Sequence, residues 1–327
     1  EDMTKSTNEP SGDFAQWSES SEDSRIAHYP ETFLSFALPH RAPVMRTSGG
    51  EKTDIPSISW ERHNGNHSLT MTAGIITTVD RDGTPQTERL VPYGKYSRIL
   101  LHYLCTEAVK AGGPHISLAT SYKGFLRDLG IPWSSRNARE VERQLRALLA
   151  LTLQSTTVST DADGDHLVHT INCVVGEEVT IAFSPDGNLN ERKSQLVLSQ
   201  RFYDQVVQRY PIPHGRHRWE QLVSLTKSPL TLDIFLWLKH RLYQVEQGVP
   251  TRAVISWEAL AGQFGADTSV KAFRKKFIDA AREIAEVDPN LIARVERIDQ
   301  RGTGRLVRGI RLHSAREIGT GYKTLAD

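Results

Sequence analysis

Cysteine is scarce in this sequence, and long apolar runs are missing. Only two of its 327 residues are cysteines. Cys105, in an expected helix, and Cys173, in an expected strand, suit small buried positions better than a disulfide. No stretch reaches the roughly 18 consecutive apolar residues that a membrane-spanning helix needs. The acidic start, EDMTKSTNEPSGDF, also lacks the basic and apolar regions of a secretory signal. These features argue against secreted and membrane classes, and we expect a cytoplasmic protein without membrane partners.

The motifs of several enzyme classes are missing as well. No segment fits the phosphate-binding pattern G-x-x-x-x-G-K-[ST] or the nucleophile pattern G-x-S-x-G. A nicking initiator would need a His-hydrophobic-His metal pair. The histidine pairs of this chain have other spacings, one pair in an expected strand and two in expected loops: His166 with His169, His214 with His217, and His63 with His67. We therefore expect no enzymatic activity, no metal and no cofactor.

The charge of the chain is balanced overall but unevenly distributed. The whole sequence has 40 Lys and Arg residues and 39 Asp and Glu residues. Residues 1–88 contain 7 basic and 14 acidic residues, whereas residues 89–327 contain 33 basic and 25 acidic residues. Positive charge that is concentrated in one part of a protein favours contact with a phosphate backbone. The distribution is therefore compatible with nucleic-acid binding after residue 88.

A stripe of arginines marks one expected helix in the segment RNAREVERQLR. Its members recur at intervals of three, four and three residues: Arg136, Arg139, Arg143 and Arg146. On a helix they fall within an arc of roughly 80°. Apolar residues gather on the opposite side and are expected to face a core: Val141, Leu145, Leu148 and Leu149. The runs LTLQSTTVST and HLVHTINCVV around the turn DADGD predict a hairpin directly afterwards. A basic helix before a hairpin is typical of a winged-helix DNA-binding domain.

The same order of elements recurs near the C-terminus. The run SPLTLDIFLWLKHRLYQV predicts an apolar helix with Ser228 as its cap and Pro229 in its first turn. The segment ISWEALAGQFG predicts a short helix that ends at Gly265. The next run, TSVKAFRKKFIDAAREIAEV, predicts an amphipathic helix capped by Thr268 or Ser269. We expect this helix to be the second DNA-binding helix.

Candidate DNA contacts follow on this second helix and on the hairpin after it. The helix offers mixed donors, namely Ser269, Lys271, Arg274, Lys275 and Arg282. After Asp288 and Pro289, the runs LIARVERI and RLVRGIRLH predict two strands. Their connecting turn carries Arg301 and Arg305 between glycines. We expect this turn to reach the DNA backbone or a minor groove.

These patterns predict an α+β protein with two tandem winged-helix domains, each a helical bundle with a β-hairpin wing. The expected parts are a disordered acidic leader at 1–30, an N-terminal winged-helix domain at 31–210, a C-terminal winged-helix domain at 211–313 and a tail at 314–327. The first domain is expected to dimerise and bind the DNA backbone, and the second to recognise sequence. We also expect TFLSFALPHRAP to pack on the body and SLTMTAGIITTV to form a strand before the turn DRDGTP.

Several segments resemble the plasmid-encoded RepA family of replication initiators. They are LPHRAP, VPYGKYSRILLHYLCTEAV, YKGFLRDLGI, VERQLRALL, KSPLTLDIFLWLKHRLY and ISWEALAGQFGAD, and together they span most of residues 38–312. The most specific are P-Y-G-x-x-x-R before a long apolar helix and S-P-L-x-L-D-x-x-x-W-L before W-E-x-L-x-x-Q-F-G. The acidic leader and the stretch NGNHSLTMTAG depart from the family pattern.

The resemblance implies an initiator that binds repeated origin sequences, or iterons, in double-stranded DNA. It further implies that the protein helps to open the neighbouring duplex, recruits the host helicase or host initiator, and represses its own promoter. Related initiators alternate between dimers off DNA and monomers on repeats. Two alternatives stay open: a two-domain transcriptional regulator without a replication role, and an interaction module whose basic helices meet acidic proteins.

Two further expectations concern the helices and the assembly. We expect the two basic helices to lie in successive major grooves, about 34 Å apart. Because its side chains are mixed, the second helix suits base reading, whereas the arginine stripe suits backbone affinity. The segment SLTMTAGIITTV and the first hairpin offer sheet edges, which predict a homodimer through the N-terminal domain.

Overall fold

The computed structural model of the chain describes residues 28–79, 83–117, 121–181, 194–207, 224–225, 228–248, 254–264, 268–301, 306–317 and 322–325. The described α-helices, α1 to α9 in chain order, are Glu31–Ser35, Gly94–Ala111, Tyr122–Asp128, Ser135–Leu149, Gln200–Phe202, Pro229–Glu246, Trp257–Gln263, Val270–Val287 and Pro289–Ile292. A π-helical turn spans Tyr203–Val207, and a 3-10 turn spans Ala315–Glu317. The strands β1 to β14 are Val44–Arg46, Lys52–Pro56, Ser59–Asn64, His67–Thr72, Ile75–Val79, Pro85–Arg89, His115–Ile116, Thr152–Thr160, His166–Val174, Gly176–Thr180, Gln195–Leu198, Ile255–Ser256, Val295–Arg301 and Leu306–Leu312.

Serine side chains cap α6 and α8 at the places that the sequence predicts. The Ser228 Oγ accepts a hydrogen bond from the Thr231 backbone N–H at 3.3 Å, with Pro229 in the first turn of α6. Ser269, and not Thr268, caps α8 by accepting from the Ala272 N–H at 3.3 Å. Such caps satisfy backbone donors that a helix leaves unpaired at its start. The mixed helix and strand content is confirmed. Helix α7 ends at Gln263. Gly265, where the sequence predicts the end of this helix, lies outside the described residues.

The hairpin after the arginine helix is half of a four-stranded sheet. Strands β8 and β9 pair antiparallel around the expected turn, and β4 pairs with the other edge of β8, placing Leu69 opposite Ser155. The strand order is β3-β4-β8-β9. Leu69 and Met71 carry the sheet into the core, since both are fully buried. The predicted hairpin is present, and the sheet that contains it is larger than the sequence suggests.

The segment SLTMTAGIITTV forms two strands in different sheets and not one continuous strand. The break falls at Ala73 and Gly74, where the chain passes so close to the end of α4 that a Cβ on Gly74 would stand 2.3 Å from the Ala150 carbonyl oxygen. After the break, β5 pairs with β6 in a separate hairpin. Strand β4 is paired on both sides, so it offers no free edge for dimerisation; the open edges of that sheet are β3 and β9.

The second half packs an aromatic core under a three-stranded sheet. Trp257 and Phe264 of the α7 region meet Phe277 edge to face, with ring centroids 5.5 and 5.9 Å apart. The sheet has the order β12-β14-β13. The expected strand LIARVERI begins later than the sequence suggests, because Asp288 caps the short helix α9 by accepting from the Leu291 N–H at 3.2 Å. The strand starts at Val295.

The hydrophobic core is continuous across the expected boundary between the two domains. One cluster of buried side chains includes Leu101 and Leu145 of the first half and Leu236 and Phe277 of the second. Packed chain also begins earlier than the expected leader allows, because His28 and Tyr29 are already buried. Residues 1–27 lie outside the described residues. The run TFLSFALPHRAP packs on the body as expected, with Phe33, Leu34, Phe36 and Leu38 all buried.

The expected C-terminal tail docks on β13. The Leu325 backbone N–H donates to the Val295 carbonyl at 3.1 Å, and the Leu325 side chain is buried. The Tyr322 ring stacks on His313 with centroids 4.2 Å apart. In the described part of the chain, no helix combines the length and the apolar character that crossing a bilayer requires.

Candidate nucleic-acid interface

The arginine stripe lies on α4 as the sequence predicts, but its four members are in different situations. Ser134 caps the helix by accepting from the Asn137 N–H at 3.1 Å, and the opposite side of α4 is buried. Arg136 and Arg139, near the start of the helix, are exposed. Within the described ranges, no carboxylate lies at ion-pair distance from either guanidinium. These two side chains are therefore available to an external anion.

Arg143 is held by a carboxylate from the neighbouring hairpin. Its Nε and Nη2 atoms each donate to one oxygen of Glu88 on β6 at 2.6 Å, and its Nη1 atom lies 3.6 Å from Glu140. Bidentate pairs of this kind are the strong form of the arginine-carboxylate contact. The hydrogen bonds from Arg143 hold the pKa of Glu88 below its ordinary value, and those to Glu88 raise the pKa of Arg143. This half-buried guanidinium is neutralised within the protein.

Arg146 is also paired within the protein. Its Nε and Nη2 atoms donate to Glu142, one helical turn earlier, at 2.9 and 2.8 Å. The stripe is therefore divided, with two free guanidinium groups in the first half of α4 and two neutralised ones in the second. The sequence shows the i, i+4 spacing of Glu142 and Arg146. Glu88, however, comes from 55 residues away, and no local pattern predicts its contact.

Two further exposed groups lie on the segments that adjoin the start of α4, and the sequence did not single them out. Trp133, just before the cap of α4, is 51% exposed although it is a large apolar side chain. Lys123 on α3 is exposed as well. The polar side chain of Asn137 is occupied, because its Oδ1 accepts from the Tyr96 hydroxyl at 2.9 Å. The start of α4 thus presents two exposed arginines after an exposed aromatic, and α3 adjoins it through the Tyr122 hydroxyl, which donates to the Ala138 carbonyl at 2.7 Å.

The candidate residues of α8 also separate into free and occupied groups. Lys271 and Lys275 are exposed, and so is Lys276, which sequence reasoning missed. None of the three has an ion pair within the part of the chain that the structure covers. Ser269 uses its hydroxyl as the helix cap. Lysines at positions 271, 275 and 276 therefore make the free positive surface of this helix.

The two arginines of α8 have protein partners. The Arg274 guanidinium lies over the Trp257 ring at 5.6 Å from its centroid, which combines packing with a cation–π contact. Arg282 pairs with Asp279 at 3.2 Å, and both side chains are about half exposed. A surface pair of this kind is weak and exchanges easily with an external anion.

The two hairpins differ in the charge near their turns. In the first, Asp161 accepts hydrogen bonds from the backbone N–H groups of Asp163 and Asp165 at 3.0 and 2.9 Å, so the turn is acidic and unsuited to a phosphate backbone. In the second, Arg301 is the last residue of β13, and Arg305 lies outside the described residues. Arg308 on β14 is exposed and was missed by sequence reasoning. The second hairpin is therefore the better candidate for contact with DNA.

Of the histidine pairs in the sequence, His214 and His217 lie outside the described residues. No group of three or more histidine, cysteine, aspartate or glutamate side chains among the described residues is placed to hold a metal ion. Cys105 is buried and Cys173 half-buried, and both are free. Burial raises the pKa of the Cys105 thiol.

The chain belongs to the family described as plasmid encoded RepA protein, whose model matches residues 91–259. This membership supports a role in the initiation of plasmid replication. A crystal structure of domains 2 and 3 of RctB, determined with selenomethionine, is similar in fold, with 11% identity and a TM-score of 0.50 over 86% of this chain and 95% of that one. A second structure of RctB domains 2–3 aligns with 11% identity and a TM-score of 0.48 over 88% of this chain and 98% of that one. A comparison with curated proteins found no match.

Proposed function

We propose that this protein binds repeated sequences of a plasmid origin in double-stranded DNA through two basic surfaces. The main observation in support is that Arg136 and Arg139 on α4 are exposed and lack carboxylate partners among the described residues. Lys271 and Lys275 offer the same free positive charge on α8. Family membership supports plasmid origin DNA as the partner. In this proposal α4 contributes mainly backbone affinity, and α8 with its following hairpin contributes sequence recognition.

The replication step follows from binding and from partners. Because the sequence carries no nucleotide-hydrolysing motif, binding energy on several repeats would help to open the neighbouring duplex, and the host helicase or host initiator would be recruited there. The protein would form homodimers off DNA, bind single repeats as a monomer, and repress its own promoter. A plasmid-maintenance assay separates this function from that of a transcriptional regulator. Only an initiator restores replication of a plasmid whose own initiator gene is deleted.

The binding surface on α4 is tested by a matched pair of arginine substitutions. Arg139→Ala removes a free guanidinium, whereas Arg146→Ala removes the same charge from a guanidinium already paired with Glu142. Fluorescence anisotropy against salt, on origin and random duplexes, should show that R139A lowers the salt slope by about one on both duplexes. R146A should change the slope much less. Equal effects of the two substitutions would mean that net charge, and not this surface, governs binding.

A further inference from the structure

The side chain of Arg98 joins the two halves of the molecule through a fully buried ion pair. From α2, its Nε donates to Asp233 Oδ1 at 2.6 Å and its Nη2 to Asp233 Oδ2 at 2.7 Å, and Asp233 lies on α6 in the second half. The other N–H groups donate to the carbonyls of Leu38, Pro39 and Gly94 at 2.6, 3.2 and 2.8 Å. All five guanidinium N–H groups thus have an acceptor.

The N-terminal segment 33–40 is the third partner in this contact. His40 Nε2 lies 3.2 Å from Asp233 Oδ2, and the carbonyls of Leu38 and Pro39 accept from Arg98. Further along, the Leu34 carbonyl accepts from Gln263 Nε2 of α7 at 2.9 Å. The segment is therefore bonded to α2 on one side and to α6 and α7 on the other.

The three segments that meet here are those that carry the resemblance to the RepA family. His40 belongs to LPHRAP, Arg98 is the arginine of P-Y-G-x-x-x-R, and Asp233 is the aspartate of S-P-L-x-L-D. These three residues are far apart in the sequence, but their side chains are in contact in the fold. Their contact gives one physical reason for the three motifs.

A buried ion pair is a poor source of net stability but a strong determinant of geometry. Removing two charges from water costs about as much as their attraction returns, and an apolar pair of the same shape often serves stability equally well. A guanidinium with five acceptors on three segments, however, is satisfied in one arrangement only. Burial raises the pKa of Asp233, but Arg98 and His40 outweigh that effect and hold the pKa below its ordinary value. The carboxylate therefore stays ionised in the fold.

We propose that His40, Arg98 and Asp233 are positioning residues that fix the orientation of the first half relative to the second. This consequence rests on the proposed function: the distance between α4 and α8 is already fixed before the protein binds DNA, so both helices can contact one duplex without a rearrangement. The three side chains act through the helices that they connect and do not themselves contact DNA.

The orientation can be measured on the full chain without DNA by electron paramagnetic resonance between two nitroxide labels, with the labelled chain diluted into excess unlabelled chain so that label pairs within one protomer give the signal. Lys123→Cys on α3 and Glu286→Cys on α8 place the labels on exposed positions outside the proposed joint. Half-buried Cys173 is replaced by serine, and buried Cys105 is left in place. The joint of His40, Arg98 and Asp233 is then altered in two ways. Arg98→Lys keeps the positive charge but cannot make the bidentate contact with Asp233. His40→Ala removes the most exposed of the three side chains. Lys239→Met is the matched control, because the Lys239–Asp288 pair is also largely buried but joins α6 to the end of α8 within the second half.

The expected result is a single narrow distance for the parent chain, a broader or shifted distance for R98K and H40A, and an unchanged distance for K239M. An unchanged distance in folded R98K would overturn the proposal, and so would the same broadening in K239M. If R98K does not fold, H40A decides the question in the same way. Because the measurement uses no DNA, a broadened distance with unaltered DNA binding would support the joint and contradict only its role on the duplex.

Discussion

Glu88 determines whether Arg143 of the arginine stripe is available to an external anion. It is an acidic residue of the β5–β6 hairpin, and its two carboxylate oxygens accept from the Nε and Nη2 atoms of Arg143. A carboxylate at this position stabilises the contact between the hairpin and α4 while it removes one cation from the candidate DNA surface. The same side chain therefore has opposite effects on folding and on binding.

The stability effect of Glu88 depends on pH. Because Arg143 lowers the pKa of Glu88 in the fold, the contribution of Glu88 is fully present above its ordinary pKa and is lost as the pH falls through the lowered value. Glu88→Gln should reduce the free energy of unfolding by less than about 1 kcal/mol at neutral pH, since the pair is partly exposed. Urea unfolding of both proteins over a pH series should show the difference disappearing in acid. A difference that persists at every pH would assign the loss to packing.

Single residues also show how far the sequence predicts the interface. The helical spacing predicted that the four arginines share one face of α4, and the i, i+4 pair of Glu142 and Arg146 is visible in the sequence. The Glu88–Arg143 pair depends on how a distant hairpin folds back, which no local pattern contains. Trp133 was missed for another reason, because a single aromatic residue outside the helical repeat has no periodic pattern that shows which way it faces.

At the level of the elements, helices were easier to predict than sheets. Caps, apolar faces and proline positions lie within a few residues of the helices that they define, and the expected caps at Ser228 and Ser269 are present. Sheet partners are set by contacts between distant segments, so the pairing of β4 with β8 and the split of SLTMTAGIITTV were not predicted. The winged-helix description stays a prediction for both halves.

The central strand β14 tolerates no side chain at one position. A Cβ on Gly309 would stand 2.0 Å from the Ile255 carbonyl oxygen of β12, so this backbone contact requires glycine. Gly309→Ala should lower the free energy of unfolding by at least about 1–3 kcal/mol, the usual cost of overpacking. Gly262→Ala is the control, because nothing lies within 4 Å of a Cβ there and alanine favours the helix by roughly 0.5–1 kcal/mol. Thermal unfolding that ranks the two variants the other way would contradict the strand pairing.

The second basic helix is expected to govern discrimination between DNA sequences. Lys275 is exposed, whereas Arg274 lies over Trp257 and serves packing as well. Lys275→Ala should cost about 1–3 kcal/mol on the cognate repeat and less on random duplex, without changing thermal stability. Arg274→Ala should lower stability and binding together. The ratio of dissociation constants on the two duplexes measures this, with Lys110→Ala on α2 as the control for charge, since Lys110 lies outside both candidate surfaces. If only R139A on α4 changed that ratio, the division of roles between the helices would be wrong.

For the molecule as a whole, the N-terminal residues fall into two parts with different expected roles. Residues 1–27 contain seven acidic and two basic residues and few apolar ones. Deleting them should leave the melting temperature unchanged and slightly strengthen binding to random DNA, because net negative charge is removed. Phe33→Ala, a few residues later, should cost about 3–5 kcal/mol, since that ring is fully buried. A marked loss of melting temperature on deletion would show that residues before 28 pack on the body.

The contact of the N-terminal segment with both halves constrains the order of events during synthesis. Leu34 and Arg98 leave the ribosome early, but their partners Gln263 and Asp233 follow 229 and 135 residues later. At about 5–20 residues per second the first half waits many seconds, with Arg98 lacking its carboxylate partner and the apolar segment lacking its contact with α7. Contacts of such long sequence separation also slow folding. The nascent chain is therefore expected to remain incompletely folded, and dependent on chaperones, until α7 has emerged.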